Sequence, residues 1–282
     1  MRIFDPHIHM TSRTTGDYEA MYAAGVRAVV EPSFWLGQPR TSPDSFVDYF
    51  DSLLGWEPFR AAQHGIAHHC TLALNPKEAN DPRCGPVLDL LPRYLAKDGV
   101  VAVGEIGYDM MTPAEDHALA AQLQLAADHD LPALVHTPHR DKAAGLRRTL
   151  DVLRESAVPP EHVVLDHLNE TTVGAAAASG CWLGFSIYPD TKMDPHRMVA
   201  VLQEYGVERV LVNSAADWGR SDPLSTRWVG EAMLAAGFAE EDVDQVLWRN
   251  PVDFFGASGR LDLVAGVRGD THEGNSIVRG GV

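Results

Sequence analysis

Positive charge is scarce in this chain: 23 Lys and Arg stand against 39 Asp and Glu, a formal charge of −16. Clusters of Lys and Arg are what draw a protein to a nucleic-acid backbone or an anionic membrane. The balance therefore argues against both as partners and still allows a local basic pocket. Cysteine is scarcer still. Cys70, Cys84 and Cys181 are too few and too scattered for a disulfide framework, none sits in a Cys-x-x-Cys pair, and they read as small buried hydrophobes. Also missing is a run of about 18 consecutive apolar residues that could span a bilayer. The N-terminus has no basic region followed by an apolar core. The expectation is a soluble, cytoplasmic protein acting on a small-molecule substrate, with assembly into a homo-oligomer left open. Finally, no Walker-type loop appears and no Gly-x-Gly-x-x-Gly follows the first apolar run, which disfavours an open nucleotide-binding sheet.

What the chain does have is a repeated pattern. Short apolar, β-branched runs occur at 1–10, 26–34, 65–75, 100–107, 132–137, 162–168, 181–187 and 209–215. Between them lie segments of helical period, among them 113–130, 141–157 and 195–206, with apolar residues three and four apart. Pro113 and Pro195 suit a first helical turn and Gly206 a helix end. Strands alternating with helices imply parallel pairing through right-handed crossovers. Eight such units predict an α/β fold, the (β/α)8 TIM barrel, over residues 1–256 as one catalytic domain. Residues 33–63 read as an inserted loop over the barrel mouth followed by a helix. Residues 257–282 are Gly-rich and aperiodic, a C-terminal tail ordered only if it docks.

In such a barrel, function gathers at the carboxyl ends of the strands, and polar residues there can be read by position. The first run ends in "FDPHIHM", with His7 and His9 two apart, so that on a strand they share a face. The fourth ends in "GEIGYD", which places Glu105 within an apolar run, where an unpaired carboxylate is costly. "LVHTPHR" offers His136, "LDHLNE" offers His167, and "VNSAADWG" offers Asp217. Four imidazoles and two carboxylates at one rim suit two divalent metal ions, with zinc the first expectation and manganese or iron as alternatives. His64, His68 and His69 form a cluster in sequence only: neighbouring strand positions point oppositely, and none of the three is expected to be a ligand.

In order and spacing, "DPHIHM", "GEIGYD", "VHTPH", "LDHLNE" and the aspartate after the eighth run resemble the metal ligands of the amidohydrolase superfamily, and within it the TatD-related hydrolases. "RNPVDFFG" at 249–256 resembles the closing helix of that family. The resemblance implies His7, His9 and Asp217 on a buried metal, His136 and His167 on a second, and Glu105 bridging both. Two departures stand out. Asn75 in "LALNP" occupies the place of a histidine that TatD-type chains usually carry, and "NSAAD" lacks their glutamate and displaces the aspartate, making Asp222 the fallback ligand.

Two ions sharing Glu105 would bring a bridging water toward ionisation at neutral pH, with Asp217 placed to take its proton. His139, Arg140, Tyr188 and Lys192 are the candidate substrate contacts, suited to an anionic group, with Trp35 and Trp218 as aromatic walls. The expected activity is hydrolysis of a small ester, lactone, amide or phosphoester. The alternatives are a TatD-type metal-dependent deoxyribonuclease and a non-catalytic metal-binding barrel acting as a partner protein.

Overall fold

A computed structural model describes residues 1–35, 40–188 and 190–266. Each apolar run supplies one strand: β1 Ile3–Asp5, β2 Val26–Pro32, β3 Ala67–Leu72, β4 Val100–Gly107, β5 Ala133–His136, β6 Val163–Asp166, β7 Trp182–Ser186 and β8 Val210–Asn213. They pair in parallel, in chain order. Beyond the ladders, Ala215 N donates to His7 O (2.8 Å) and His9 N to Ala216 O (3.0 Å), which sews the chain past β8 to the chain past β1. The architecture is a (β/α)8 barrel.

The apolar runs are nearly continuous because both strand faces are covered. Ala28, Val30, Ala67, Val101, Leu134, Val164 and Leu211 fill the inside, while Val29, Cys70, Val103, Val135, Leu165 and Val212 pack outward toward the helices. The inner cluster continues into a floor of Phe4, Trp182, Trp248, Phe254 and Phe255 at the amino ends of the strands. "RNPVDFFG" supplies two of those rings, Phe254 and Phe255, through the helix Asn250–Gly256, with Phe255 against Phe4 at a centroid distance of 6.0 Å. Asn250 Nδ2 anchors it by donating to Val207 O (2.7 Å) and Val210 O (2.8 Å).

The helices Pro113–Asp128, Lys142–Glu155 and Pro195–Tyr205 match the expected segments, with Pro113 and Pro195 in their first turns and Gly206 at φ 83° after the last. The described part of the segment 33–63 is a loop followed by helical chain, as expected, and the helical part is the longer of the two. It runs through Pro43–Asp51, a wider turn Ser52–Trp56 and Glu57–Ala62 in succession. Phe46, Tyr49, Phe50, Leu53 and Leu54 recur three and four apart and are all buried, a helical stripe that the Pro, Gly and Ser around it disguise. Residues 36–39 of that segment lie outside the described residues.

The first part of the tail docks under the barrel: Asp262 N donates to His69 Nε2 (3.2 Å) and the Arg260 guanidinium to Leu95 O. Residues 267–282 lie outside the described residues. Cys70, Cys84 and Cys181 are buried. Among the described residues no helix is long and apolar enough to cross a membrane.

Candidate metal centre

The β1 ladder stops at Asp5 and the chain bends at Pro6 and His7, yet it stays bonded to its neighbours, with Ile8 N donating to Val30 O at 3.1 Å. This holds His7 and His9 side by side at the carboxyl rim, their Nε2 atoms 3.2 Å apart. Asp5, itself buried, accepts from His7 N (3.2 Å) and Ser214 N (3.3 Å), tying both sides of the closure together. Burial raises its pKa to about 6.

Glu105 stands at the centre of the imidazoles. Its Oε1 lies 3.4 Å from His7 Nε2, 3.5 Å from His136 Nδ1 and 3.3 Å from His167 Nε2, and all four side chains are buried. Asn75 Nδ2 donates to the other carboxylate oxygen at 3.0 Å. The approach of β4 to β5 depends on Gly107: at φ 129° its backbone passes so close that a Cβ would lie 2.3 Å from His136 O. Burial works to raise the Glu105 pKa, but His7, His136 and His167 together hold it well below the usual carboxylate range. Burial keeps His9 and His167 well below the ordinary imidazole value, helped by His7 and Lys192 respectively, so both keep a lone pair free.

These donors fit metal ions better than they fit one another. Ligands 2.0–2.1 Å from a tetrahedral ion stand about 3.3 Å apart, close to the separations around Glu105. Among the described residues neither ring nitrogen of His136 finds a hydrogen-bond partner, although both are buried, a costly state unless something else occupies the lone pair. Two sets share Glu105: His7, His9 and Glu105, and Glu105, His136 and His167.

A family profile described as TatD related DNase matches residues 4–256. The chain belongs to that family. An uncharacterized metal-dependent hydrolase of Methanocaldococcus jannaschii is 26% identical over 256 residues, 90% of this chain and 99% of the relative. A crystal structure of a TatD-like protein from Archaeoglobus fulgidus superposes with a TM-score of 0.75 at 25% identity, over 89% of this chain and 99% of the other. The phosphotriesterase homology protein of Escherichia coli, solved with phosphate in its active site, shares the fold: TM-score 0.67, 16% identity, 90% of this chain and 98% of that one.

The position of the remaining residues in this TatD-related chain is mixed. A cleft of about 660 Å³ opens over the centre, and His139, Tyr188, Lys192 and Asp217 all line it. Asp217 is held at the rim, accepting from Tyr188 Oη (2.9 Å) and Gly219 N (2.7 Å), and it joins none of the three-donor groups among the described residues. Asp222 is occupied elsewhere, accepting from Leu224 N (2.9 Å) and Trp228 Nε1 (2.7 Å). Arg140 is exposed and is not part of the cleft lining. Trp35 does line it, and Trp218 stacks on Phe34, which lies 4.0 Å from the His9 ring. His68 pairs with Glu31 (2.8 Å) outside the barrel, His69 faces the tail, and the His64 ring stacks on Tyr18 at 5.2 Å.

Two groups of residues escaped the sequence reading. Asp166, adjacent to His167 in "LDHLNE", lies buried beneath the centre and accepts from His7 Nδ1 at 2.6 Å and Asn213 Nδ2 at 3.0 Å. His7 and His167 outweigh its burial and keep it ionised. Gly184 makes room for it, since a Cβ there would stand 2.6 Å from Asp166 Oδ1. The second group is Lys77 and Lys142, which join Lys192 in the cleft. Only the run of polar residues after β5 hinted at Lys142.

Proposed function

We propose that this chain is a two-metal hydrolase of a small, anionic substrate, with one ion held by His7, His9 and Glu105 and the other by Glu105, His136 and His167. The observation that carries this reading is the single oxygen of Glu105 lying 3.3–3.5 Å from three imidazole nitrogens. When bound, a pair of divalent ions supplies an ionised water at neutral pH and polarises the oxygen of the bond to be cleaved. Zinc suits the imidazole-rich donor set best.

The chain's own residues do the rest. Asp166 takes the Nδ1 proton of His7 in a hydrogen bond, which fixes the tautomer and aims Nε2 into the centre. Ser186 Oγ, 2.6 Å from His167 Nδ1, does the same for the second site. Asn75 holds Glu105 in a single orientation. Asp217, on the rim rather than among the donors, is the group that receives a proton from the attacking water and returns it to the leaving group, and Tyr188 sets its position. Phe34 and Trp35 shield the cleft on the His9 side.

The test is elemental analysis of the purified chain, alone and after reconstitution with zinc or manganese. Two equivalents are expected, falling to one or fewer in Glu105→Gln; fewer than two equivalents in the wild type even after reconstitution would defeat the reading. A screen of phosphoesters, lactones, amides and DNA then assigns the bond. Turnover of DNA alone would favour the deoxyribonuclease activity named in the family's description.

A further inference from the structure

Two ammonium groups stand beside the centre without carboxylate partners. Lys192, in the loop after β7, has its Nζ 3.1 Å from His167 Nδ1. Lys142, at the start of the helix after β5, donates to His167 O at 2.6 Å and lies 3.4 Å from Thr137 Oγ1. Both line the cleft. Among the described residues no carboxylate oxygen comes within 4.0 Å of either, whereas Lys77 nearby has Asp109 at 3.5 Å. Metal binding sharpens the contrast. With His167 Nε2 committed to an ion, its Nδ1 carries the proton and donates to Ser186 Oγ, so the Lys192 ammonium loses its one acceptor there.

We propose that Lys142 and Lys192 together bind the phosphate group of the substrate, which is a small phosphate monoester. This deepens, and rests on, the two-metal reading above. Two divalent ions and two lysines bring six positive charges to the cleft, and Glu105, Asp166 and Asp217 return three, so a dianion balances the site better than a monoanion. A phosphate also presents three terminal oxygens around one centre, enough to meet ions and ammonium groups together; a carboxylate has two. Phe34 and Trp35, which also line the cleft, offer apolar surface to the rest of the molecule. In the reaction, the oxygen of water bonds to phosphorus and the ester P–O bond breaks. Its electron pair leaves with the ester oxygen, which takes up the proton released by the water, giving an alcohol and inorganic phosphate.

The experiment is calorimetric titration of the zinc-loaded full chain with inorganic phosphate, for wild type, Lys142→Met and Lys192→Met, with metal content measured on the same samples. Unchanged metal content and a phosphate Kd raised about tenfold or more in each variant are expected, the loss of one charge-assisted hydrogen bond, with Lys192→Arg recovering most of the affinity. Acetate, the carboxylate arm, is expected to bind about tenfold more weakly than phosphate or worse. Phosphate affinity unchanged in both variants, or acetate as tight as phosphate, overturns the proposal. If circular dichroism shows Lys142→Met unfolded, Lys142→Arg and Lys192→Met carry the same comparison. If wild type binds fewer than two ions, the two-metal reading fails separately. The lysine pair is then judged on the metal-free chain, where phosphate must still bind more weakly to the Met variants.

Discussion

Asp166 and Asp217 are both near the centre and do opposite work. Asp166 is buried, ionised and bonded to His7 Nδ1, so its influence on the centre passes through His7. Replacing such a supporting carboxylate commonly weakens metal binding by about 10–100-fold. Asp166→Asn should show that loss in competition with a chelator of known affinity, while the fold, read by circular dichroism, stays intact. Asp217 touches the cleft rather than the ligands. Asp217→Asn should therefore keep both ions and lower turnover by about 10²-fold or more, the smaller end of what a general base contributes. Steady-state kinetics beside elemental analysis separates the two residues: Asp217→Asn should lower turnover with metal content unchanged, whereas Asp166→Asn should lower turnover only as far as it loses metal, and excess zinc should restore it.

At the scale of elements, the loop after β4 depends on one carboxylate in the following helix. Glu115 completes a capping box with Thr112, and it also accepts from Met110 N (3.1 Å), Met111 N (2.7 Å) and Asn80 Nδ2 (2.6 Å). It is fully buried, whereas Met110 and Asn80 are exposed and can turn to water, so its removal would weigh most on Met111 N in the half-buried part of the loop. Glu115→Ala should cost about 3 kcal/mol, combining a lost cap with lost hydrogen bonds to a charged acceptor, measured by denaturant unfolding. The sequence shows this cap locally as Thr112, Pro113 and Glu115. The reach of Glu115 back into the loop is not visible there, because it depends on how the chain turns after Gly107.

For the molecule as a whole, the two ends of the barrel are specialised. The carboxyl rim carries the polar centre, and the amino end is sealed by aromatic rings from β1, β7 and the last helix. Phe255 is fully buried and packs on both Phe4 (6.0 Å) and Phe254 (4.9 Å). Phe255→Ala should destabilise the fold by about 3–5 kcal/mol through the cavity left in this floor, seen as a lower thermal midpoint. Metal stoichiometry should not change, since the ligands are on the far side of the barrel.

The amino-acid sequence by itself determined the eight strands, the barrel they imply and the histidines that gather around Glu105. Those features are written in local patterns: apolar runs covered on both faces, helical spacing between them, and imidazoles at the strand ends. The stripe in 43–54 was equally local, but the turn-forming residues around it masked its period. Tertiary structure alone decided that Asp166 supports the centre and that Lys142 enters the cleft. Strict alternation along β6 would send His167 outward with Leu165 when Asp166 faces inward; a left-handed residue at His167, φ 61°, turns both to the same side. Asp217, Asp222 and Arg140 could likewise be told apart only by where their loops run, since a loop's path is set by long-range contacts that no short stretch of sequence contains.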